Sequence, residues 1–264
     1  SDTISGVISG AGNLTKVGSG TLTLTGNNSF TGTLTVSVGS ITLNDADGET
    51  GTVLSDSLTV IVNGGSITVS DTSETVGTVT QSSGTITGTL ISSSGYAFAP
   101  ASGVTLTISE ILSGSVNLTM SGDGTLVLEA DNTYTGDTTI SAGTITLTGS
   151  VNALTDLSIA SGATLDLQST QTFATLDLDG TILNSAGSSA LTITGTSDIG
   201  GSITTTGSQT YSGAVVLSTD VTLTTTDSDV IFNDTINNRY ALAISSGSGA
   251  INFGDAIGDT NPLY

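Results

Sequence analysis

Short runs of alternating polar and apolar residues recur along the whole chain, with Leu, Ile or Val at every second position and usually Thr between them. Clear examples are residues 21–25, 85–87, 105–107, 144–148 and 192–194. Successive side chains of a strand point to opposite faces, so this period of two predicts strands with one apolar and one hydroxyl face. The runs end at Gly, Asn, Asp or Ser, which favour turns. The pattern predicts an all-β protein built from short strands.

A long internal repeat organises these strands. Residues 14–43 align without gaps with residues 118–147, at an offset of 104, and 16 of the 30 positions are identical. A weaker third echo covers residues 207–223, where Tyr211 and Gly213 occupy the aromatic and glycine positions. Gapless repetition over this distance is typical of the stacked turns of a solenoid, whereas it is not expected of a Greek-key sandwich.

The repeat predicts a right-handed parallel β-helix, also called a β-solenoid, that spans residues 1–264 as one segment. A turn of about 20–25 residues would divide the chain into about 11–13 turns, each stacked on the next at ~4.8 Å. Aromatic residues make up only 4% of the chain, which is few for a sandwich core but adequate for a narrow solenoid. Inward-pointing side chains are predicted for Leu22, Leu24, Leu126, Leu128, Ile145 and Leu147, and outward-pointing ones for Thr21, Thr23 and Thr125.

The repeated segment resembles the passenger repeats of bacterial autotransporters and of filamentous-haemagglutinin-like exoproteins. The first copy carries the structural positions of that repeat at Gly20, Leu22, Leu24, Asn28, Phe30 and Gly32, with Phe30 in the usual tyrosine place. The second copy carries them at Gly124, Leu126, Leu128, Asn132, Tyr134 and Gly136. Met120 stands in the second copy where the first has Lys16, so this position is interpreted as structural.

The resemblance implies an extracellular protein, on the bacterial cell surface or secreted, that forms the shaft of an adhesin or exoprotein in adhesion, aggregation or biofilm formation. Its partners would be a host or neighbouring-cell surface, or further copies that stack on the solenoid ends. Neither end of the sequence resembles a capping repeat, so open strand edges are expected near residues 251–253. A structural subunit of an extracellular filament or sheath, assembled by end-to-end or lateral stacking, is the alternative.

Charge and composition narrow the function further. The chain has 23 acidic residues against two basic ones, Lys16 and Arg239, for a net charge of −21. Such a charge repels nucleic acids and anionic membranes, and no apolar run is long enough to span a bilayer. His and Cys are absent, which removes zinc sites and most nucleophile–base pairs. The sequence therefore predicts no enzymatic activity, no catalytic residues and no cofactor.

Two pairs of carboxylates, Asp177 with Asp179 and Asp227 with Asp229, are spaced to share one face of a strand. Glycoside hydrolases use paired carboxylates that flank the scissile bond. Because apolar Leu176 and Leu178 alternate with the first pair, a solvated outer face is the preferred interpretation.

Calcium is a further hypothesis. The loop that contains Asp45, Asp47 and Glu49 concentrates oxygen ligands, but it lacks the helix–loop–helix calcium pattern. The three residues are weak candidates for Ca²⁺ binding, and a solvated acidic loop is the alternative. The Thr-x-Thr motifs are scattered along the sequence, so a regular hydroxyl face for ice or crystal binding is not expected.

Overall fold

The computed structural model describes residues 1–45, 53–70, 73–237 and 239–258. Within these ranges the chain forms 28 β-strands and no helix. The strands of the first half are β1 (Asp2–Ile4), β2 (Leu14–Lys16), β3 (Thr21–Leu24), β4 (Thr33–Val36), β5 (Ser40–Leu43), β6 (Thr59–Val69), β7 (Glu74–Thr87), β8 (Leu90–Phe98), β9 (Thr105–Ile108), β10 (Leu118–Met120), β11 (Thr125–Leu128), β12 (Thr138–Ile140) and β13 (Thr144–Leu147).

The second half continues with shorter strands. They are β14 (Leu157–Ile159), β15 (Thr164–Leu167), β16 (Gln171–Phe173), β17 (Leu176–Leu178), β18 (Thr181–Leu183), β19 (Leu191–Ile193), β20 (Ser197–Ile199), β21 (Ser202–Thr204), β22 (Gln209–Tyr211), β23 (Val215–Leu217), β24 (Val221–Thr224), β25 (Val230–Phe232), β26 (Ile236–Asn237), β27 (Leu242–Ser245) and β28 (Ile251–Phe253).

The strands stack in parallel as a β-solenoid of about twelve turns, as the sequence predicts. One column of paired residues follows the first face along the described chain, with 17 to 26 residues between successive members. At ~4.8 Å for each step, the solenoid is roughly 55–60 Å long. The right hand of the helix stays a prediction from the general handedness of parallel crossovers. The members of the column are Leu14, Leu34, Val60, Val79, Tyr96, Leu118, Thr138, Leu157, Leu176, Ser197, Val215, Ile236 and Ile257.

Three faces surround the core. The first face contains the column described above. The second is formed by β1, β3, β5 and the last residues of β6 and β7, and beyond them by an eight-stranded sheet from β9 to β27. The third is a five-stranded sheet, β16-β19-β22-β25-β28. In the passenger-like repeats the third face is a corner without a strand. Between them β7 and β8 pair on this face through their first residues, and a five-stranded sheet follows in the second half.

Long strands join the faces in the N-terminal half. β6 pairs with β4 through its first residues and with β5 through its last, so one strand crosses two faces. The bend lies at Gly64, whose φ is +106°, and the pairing of β6 with β7 shifts register there. Positive φ is accessible to glycine because it has no Cβ. Glycine thus lets the backbone turn a corner while both halves stay in the ladder.

The interior is filled by one continuous column of aliphatic side chains. Leu24, Leu126, Leu128, Ile145 and Leu147 are all buried, which confirms their predicted direction. Leu22 is only half-buried but packs against the same core. The aromatic rings stack in register on the third face, where the centroids of Tyr211 and Phe232 lie 5.1 Å apart and those of Phe232 and Phe253 lie 5.5 Å apart. The predicted outward residues Thr21, Thr23 and Thr125 are half-exposed.

The second face is divided at one point. β7 and β9 are neighbouring turns on this face, but they belong to different sheets. An apolar slot lies at the break, lined in part by Ile86, Leu90, Ile108 and Leu112. The strands before the break, from β3 to β7, therefore form a unit of the second face distinct from the later sheet.

Glycines of the repeat permit close stacking, and one pair of sites tests this. Gly136 has an ordinary negative φ, but an added Cβ would overlap the Val116 backbone and the Asn117 side chain of the previous turn. We expect Gly136→Ala to lower the free energy of unfolding by about 1–3 kcal/mol, because the overlapping atoms must shift. Gly20→Ala is the matched control, since a Cβ there meets nothing within 4 Å. Equal thermal unfolding midpoints for the two variants would contradict this explanation.

Candidate functional site

Asn28 and Asn132 connect three successive turns at the corner that lacks a strand. The Oδ1 of Asn132 accepts the N–H of Leu112 from the turn before, at 2.9 Å. Its Nδ2 donates to the carbonyl of Ser150 in the turn after, at 3.2 Å, and to Ala130 within its own turn. Asn28 repeats this arrangement with Ile8 and Val53, at 2.9 and 2.8 Å. Both side chains are buried, and their amides add to the backbone bonds that also join the turns here, such as the bond from the N–H of Asn132 to the carbonyl of Ser150 at 2.8 Å.

The same triplet of amide, hydroxyl and aromatic residues occurs at two later turns. Gln171-Thr172-Phe173 and Gln209-Thr210-Tyr211 repeat the order of Asn132-Thr133-Tyr134, and their amide and aromatic side chains are buried. Gln171 accepts the N–H of Val151 at 3.0 Å, as Asn132 does for Leu112. The third echo in the sequence includes Tyr211, but the Gln171 triplet lies outside all three repeated segments and was not predicted. Its signal is the order of residue types, which is recognisable only once Gln is treated as equivalent to Asn.

Glu74 fills a comparable place with a carboxylate. The side chain is buried, and its two oxygens accept the N–H groups of Val53 and Leu54 at 3.0 and 2.7 Å. Backbone donors of this kind stabilise a carboxylate away from water. Glu74 therefore fixes the backbone of Val53 and Leu54 to the neighbouring turn of the solenoid.

The aromatic residue of each repeat fills the core beside the amide. Phe30 and Tyr134 are both fully buried. The hydroxyl of Tyr134 lies 2.7 Å from the hydroxyl of Thr138. Burial raises the pKa of Tyr134 to about 12, although the contact with Thr138 lowers it in part. Burial also raises the pKa of Tyr211. These phenols stay neutral and act as packing groups with one satisfied polar end.

Asp177, Asp179 and Asp198 form an acidic patch on the outer side of the first face. Asp177 and Asp179 are exposed while Leu176 and Leu178 are buried, as the alternation predicts. Asp177 and Asp198 are paired in register on adjacent turns. Burial raises the pKa of the Asp177 carboxyl, and the charges of Asp179 and Asp198 raise it further. All three carboxylates lie on one side of a single sheet, whereas paired catalytic carboxylates flank a bond from two sides.

The second predicted pair, Asp227 and Asp229, lies in the turn before β25 and not on a strand, so strand alternation does not apply to it. Asp227 accepts the N–H of Ser248 at 2.8 Å, and Asp229 accepts that of Ala250 at 2.7 Å. The bond from Ser248 lowers the pKa of Asp227. Asp227 has a φ of +52°, which Asp tolerates better than most residues. Both carboxylates act as links to the next turn.

The structure describes one of the three predicted calcium ligands. Asp45 is buried, whereas Asp47 and Glu49 lie outside the described residues. Across the described ranges, no group of three or more His, Cys, Asp or Glu side chains could hold a metal ion. Weak Ca²⁺ binding by Asp45, Asp47 and Glu49 stays a prediction.

Lys16 has a structural environment. Its Nζ donates to the carbonyl of Gly18 at 2.5 Å and to that of Val38 in the next turn at 3.2 Å. The equivalent Met120 is buried in the core. The two copies thus fill one position by different means, which agrees with the structural interpretation of Lys16.

No helix of the described chain is long and apolar enough to cross a membrane.

Hydroxyl side chains form two unbroken columns on the outer side of the second face, between β3 and the break after β7. The first hydroxyl column is Thr21, Ser40, Ser66 and Thr85, and its residues are paired in register. The second hydroxyl column is Thr23, Thr42, Thr68 and Thr87, which are also paired in register, and Thr3 of β1 pairs with Thr23 one turn before it. The expectation of scattered Thr motifs is therefore wrong for these four turns. Unequal spacings of 19, 26 and 19 residues hide the register in the sequence.

The two gapless copies that build the corner match a known repeat. The sequence profile of the passenger-associated transport repeat matches residues 14–43 and 118–147. The chain carries two passenger-associated transport repeats. These are the segments in which Asn28 and Asn132 connect successive turns, so the repeats account for the strandless corner.

One characterised relative carries a related segment. The adhesin BmaC autotransporter of Brucella suis biovar 1 (strain 1330) is 36% identical over 129 residues, which cover 48% of this chain and 4% of that protein. The chain thus corresponds to a small part of that relative's length. No solved structure matches the chain. The passenger repeats and the relative indicate an extracellular location, on the cell surface or secreted, and with the solenoid fold they point to a structural, non-enzymatic protein.

The corner amides should contribute to stability through their connections between turns. Asn132→Ala leaves the buried N–H of Leu112 and the carbonyl of Ser150 without that partner, so we expect a loss of about 2–4 kcal/mol in the free energy of unfolding. Asn63→Ala is the matched control, because Asn63 is exposed and its Oδ1 accepts hydrogen bonds from the hydroxyls of Ser82 and Ser83. Denaturant unfolding measures both. A loss from Asn132→Ala no larger than the control's would refute the role.

The acidic patch should make stability depend on pH with a defined sign. The raised pKa of Asp177 means that the folded state binds this proton more tightly than the unfolded state, so the stabilisation is present in acid and is lost as pH rises through the folded pKa. We expect Asp177→Asn to raise the melting temperature at pH 7 and to have no effect near pH 3, where the carboxyl is already protonated. Exposed Asp123, on another turn, supplies the control variant Asp123→Asn. A stabilisation independent of pH would contradict the electrostatic cause.

Proposed function

We propose that this chain is part of the β-helical shaft of a bacterial surface adhesin, and that the shaft acts in adhesion, aggregation or biofilm formation. The observation that carries the proposal is the unbroken column of pairings on the first face, in which both passenger repeats take part. A continuous ladder makes a stiff rod, because each turn is fixed to the next by backbone hydrogen bonds. Such a rod can hold a binding region away from a cell surface.

The surface chemistry is consistent with this role. A net charge of −21 keeps a protein soluble and resists nonspecific association with other acidic surfaces. The described interior holds aliphatic and aromatic side chains with their polar groups largely bonded, and it leaves little space for a buried ligand. A shaft needs length, stiffness and solubility, and these are the properties that the solenoid supplies.

The gapless repeat allows the shaft to be shortened without changing its register. Deletion of residues 14–117 joins Asn13 to Leu118 and recreates the Asn-Leu-Thr sequence found at both copies. The product would lose five turns, or roughly 24 Å of length at ~4.8 Å for each turn. We expect it to stay folded and, within the full-length displayed protein, to reduce adhesion or aggregation of the cells.

A matched insertion that duplicates residues 14–117 provides the control, because it lengthens the shaft by the same amount and should preserve adhesion. Electron microscopy of the purified chain should show separate rods. A periodic filament or sheath would favour the structural-subunit alternative. Unchanged adhesion and aggregation after the deletion would contradict a role for this part of the shaft.

A further inference from the structure

We propose that the two hydroxyl columns bind a neutral, linear polysaccharide whose chain lies along the solenoid axis. The inference rests on the proposed adhesin function and names the class of ligand that this part of the shaft would contact. The columns occupy four consecutive turns of the second face, from β3 to β7. Beyond the break before β9 one hydroxyl column follows on the same face, through Thr105, Thr125, Thr144, Thr164, Thr181 and Ser202. The column beside it holds Val127 and Asp166, so two adjacent unbroken columns occur only before the break.

The geometry of the columns is regular in two directions. Along the axis, the hydroxyl groups repeat at the strand spacing of ~4.8 Å, and across the face they repeat at two residues, or about 6.6 Å. Each sugar of an extended β-linked hexose chain advances by nearly the same distance as one turn of the solenoid. A sugar hydroxyl can therefore meet a Thr or Ser hydroxyl on each successive turn, and every hydroxyl can donate and accept.

The hydroxyl groups are held in place by the fold. Six of the eight residues in the two columns are Thr, whose β-branched side chain has restricted χ1 rotation in a strand. Ser40 and Ser66 fix each other through a hydrogen bond of 2.7 Å between their hydroxyls. Thr23, Thr42 and Thr68 are half-exposed, so they remain accessible while their rotamers are limited. Ordered donors lose little entropy when a ligand binds.

The absence of charge in the two columns favours a neutral ligand. None of the eight column residues is charged, although the whole chain has a net charge of −21. The surrounding acidic surface repels anionic polymers, which include nucleic acids and acidic polysaccharides. The columns also contain no aromatic or aliphatic side chain, whereas protein interfaces are anchored by buried aromatic and apolar groups. A neutral polymer that is rich in hydroxyl groups fits this surface better than a protein does.

Binding to insoluble polymers tests the proposal directly. Purified chain is mixed with microcrystalline cellulose or with chitin, and the bound fraction is measured by pull-down, with bead-immobilised alginate as the anionic comparison. We expect retention by at least one neutral polymer and none by alginate. The triple variant Thr23→Val, Thr42→Val and Thr68→Val removes three hydroxyls of the second hydroxyl column while it keeps branched side chains. It should weaken binding by about tenfold or more.

A matched triple variant controls for folding and surface polarity. Thr172, Thr192 and Thr210 are also paired in register and half-exposed, but they lie on the third face. The neighbouring positions, two residues earlier on each strand, are Thr170, Ala190 and Ser208. Because Ala190 has no hydroxyl, this face has no second unbroken hydroxyl column. Thr172→Val, Thr192→Val and Thr210→Val should leave binding unchanged. Thermal unfolding of both variants verifies that each is folded.

Three other results would contradict the inference. Equal weakening by the two triple variants would mean that binding is nonspecific, and no binding to either neutral polymer would exclude the ligand class. Thermal hysteresis of ice growth without polysaccharide binding would assign the columns to ice. Cell adhesion by the full-length displayed protein is measured separately. Adhesion that survives the second-face triple variant, with polysaccharide binding lost, would support binding by the columns and exclude them as the adhesive surface, without contradicting the shaft function. Because the deletion of residues 14–117 removes the columns as well, normal adhesion by the shortened shaft would contradict both proposals.

Discussion

The structure depends on the hydrogen bonds between one turn and the next. Every strand of a parallel solenoid exposes N–H and C=O groups toward both neighbouring turns, and burying any of them without a partner costs free energy. On the faces the backbone ladder meets this demand. On the third face some backbone N–H groups lie outside the ladder, and side-chain oxygens of Asn28, Glu74, Asn132 and Gln171 accept their hydrogen bonds. Within the repeat, Asn28 and Asn132 occupy equivalent positions of the two copies, where each side chain adds bonds to both neighbouring turns.

Close stacking of the turns imposes a second constraint. A spacing of ~4.8 Å leaves no space for a Cβ where the backbone of one turn crosses that of another. Gly32 and Gly136 meet an Asn and its neighbouring backbone in the previous turn, and Gly39 and Gly143 also need positive φ. The glycines and the amides are therefore two parts of one arrangement. Glycine brings the turns close enough for the amide of one turn to reach the backbone of its neighbours.

The outer surface follows from the same ladder. Because each turn is held in register, residues at one position of successive turns become neighbours in a straight column. Where the position carries Asp, as at Asp177 and Asp198, like charges are brought together, and partial burial together with these charges raises the pKa of Asp177. Where it carries Thr or Ser, as at Thr23, Thr42 and Thr68, the result is a neutral hydroxyl array. One fold thus presents acidic and uncharged surfaces at different places along the rod.

The amino-acid sequence by itself determined the class of fold, the inward positions of Leu24, Leu126 and Leu128, and the solvated face of Asp177. It also predicted short strands, which is correct except at β6, β7 and β8, with 11, 14 and 9 residues. All of these depend on a period of two or on a repeat of constant length, and both are local properties of the chain. The tertiary structure alone decided which residues of different turns are neighbours. Turns of 17 to 26 residues carry insertions of unequal length, so Thr42 and Thr68 share a column although no regular spacing connects them. The bonds of Asn132 to Leu112 and Ser150 depend on the same stacking, because they join atoms that approach each other only when three turns are assembled.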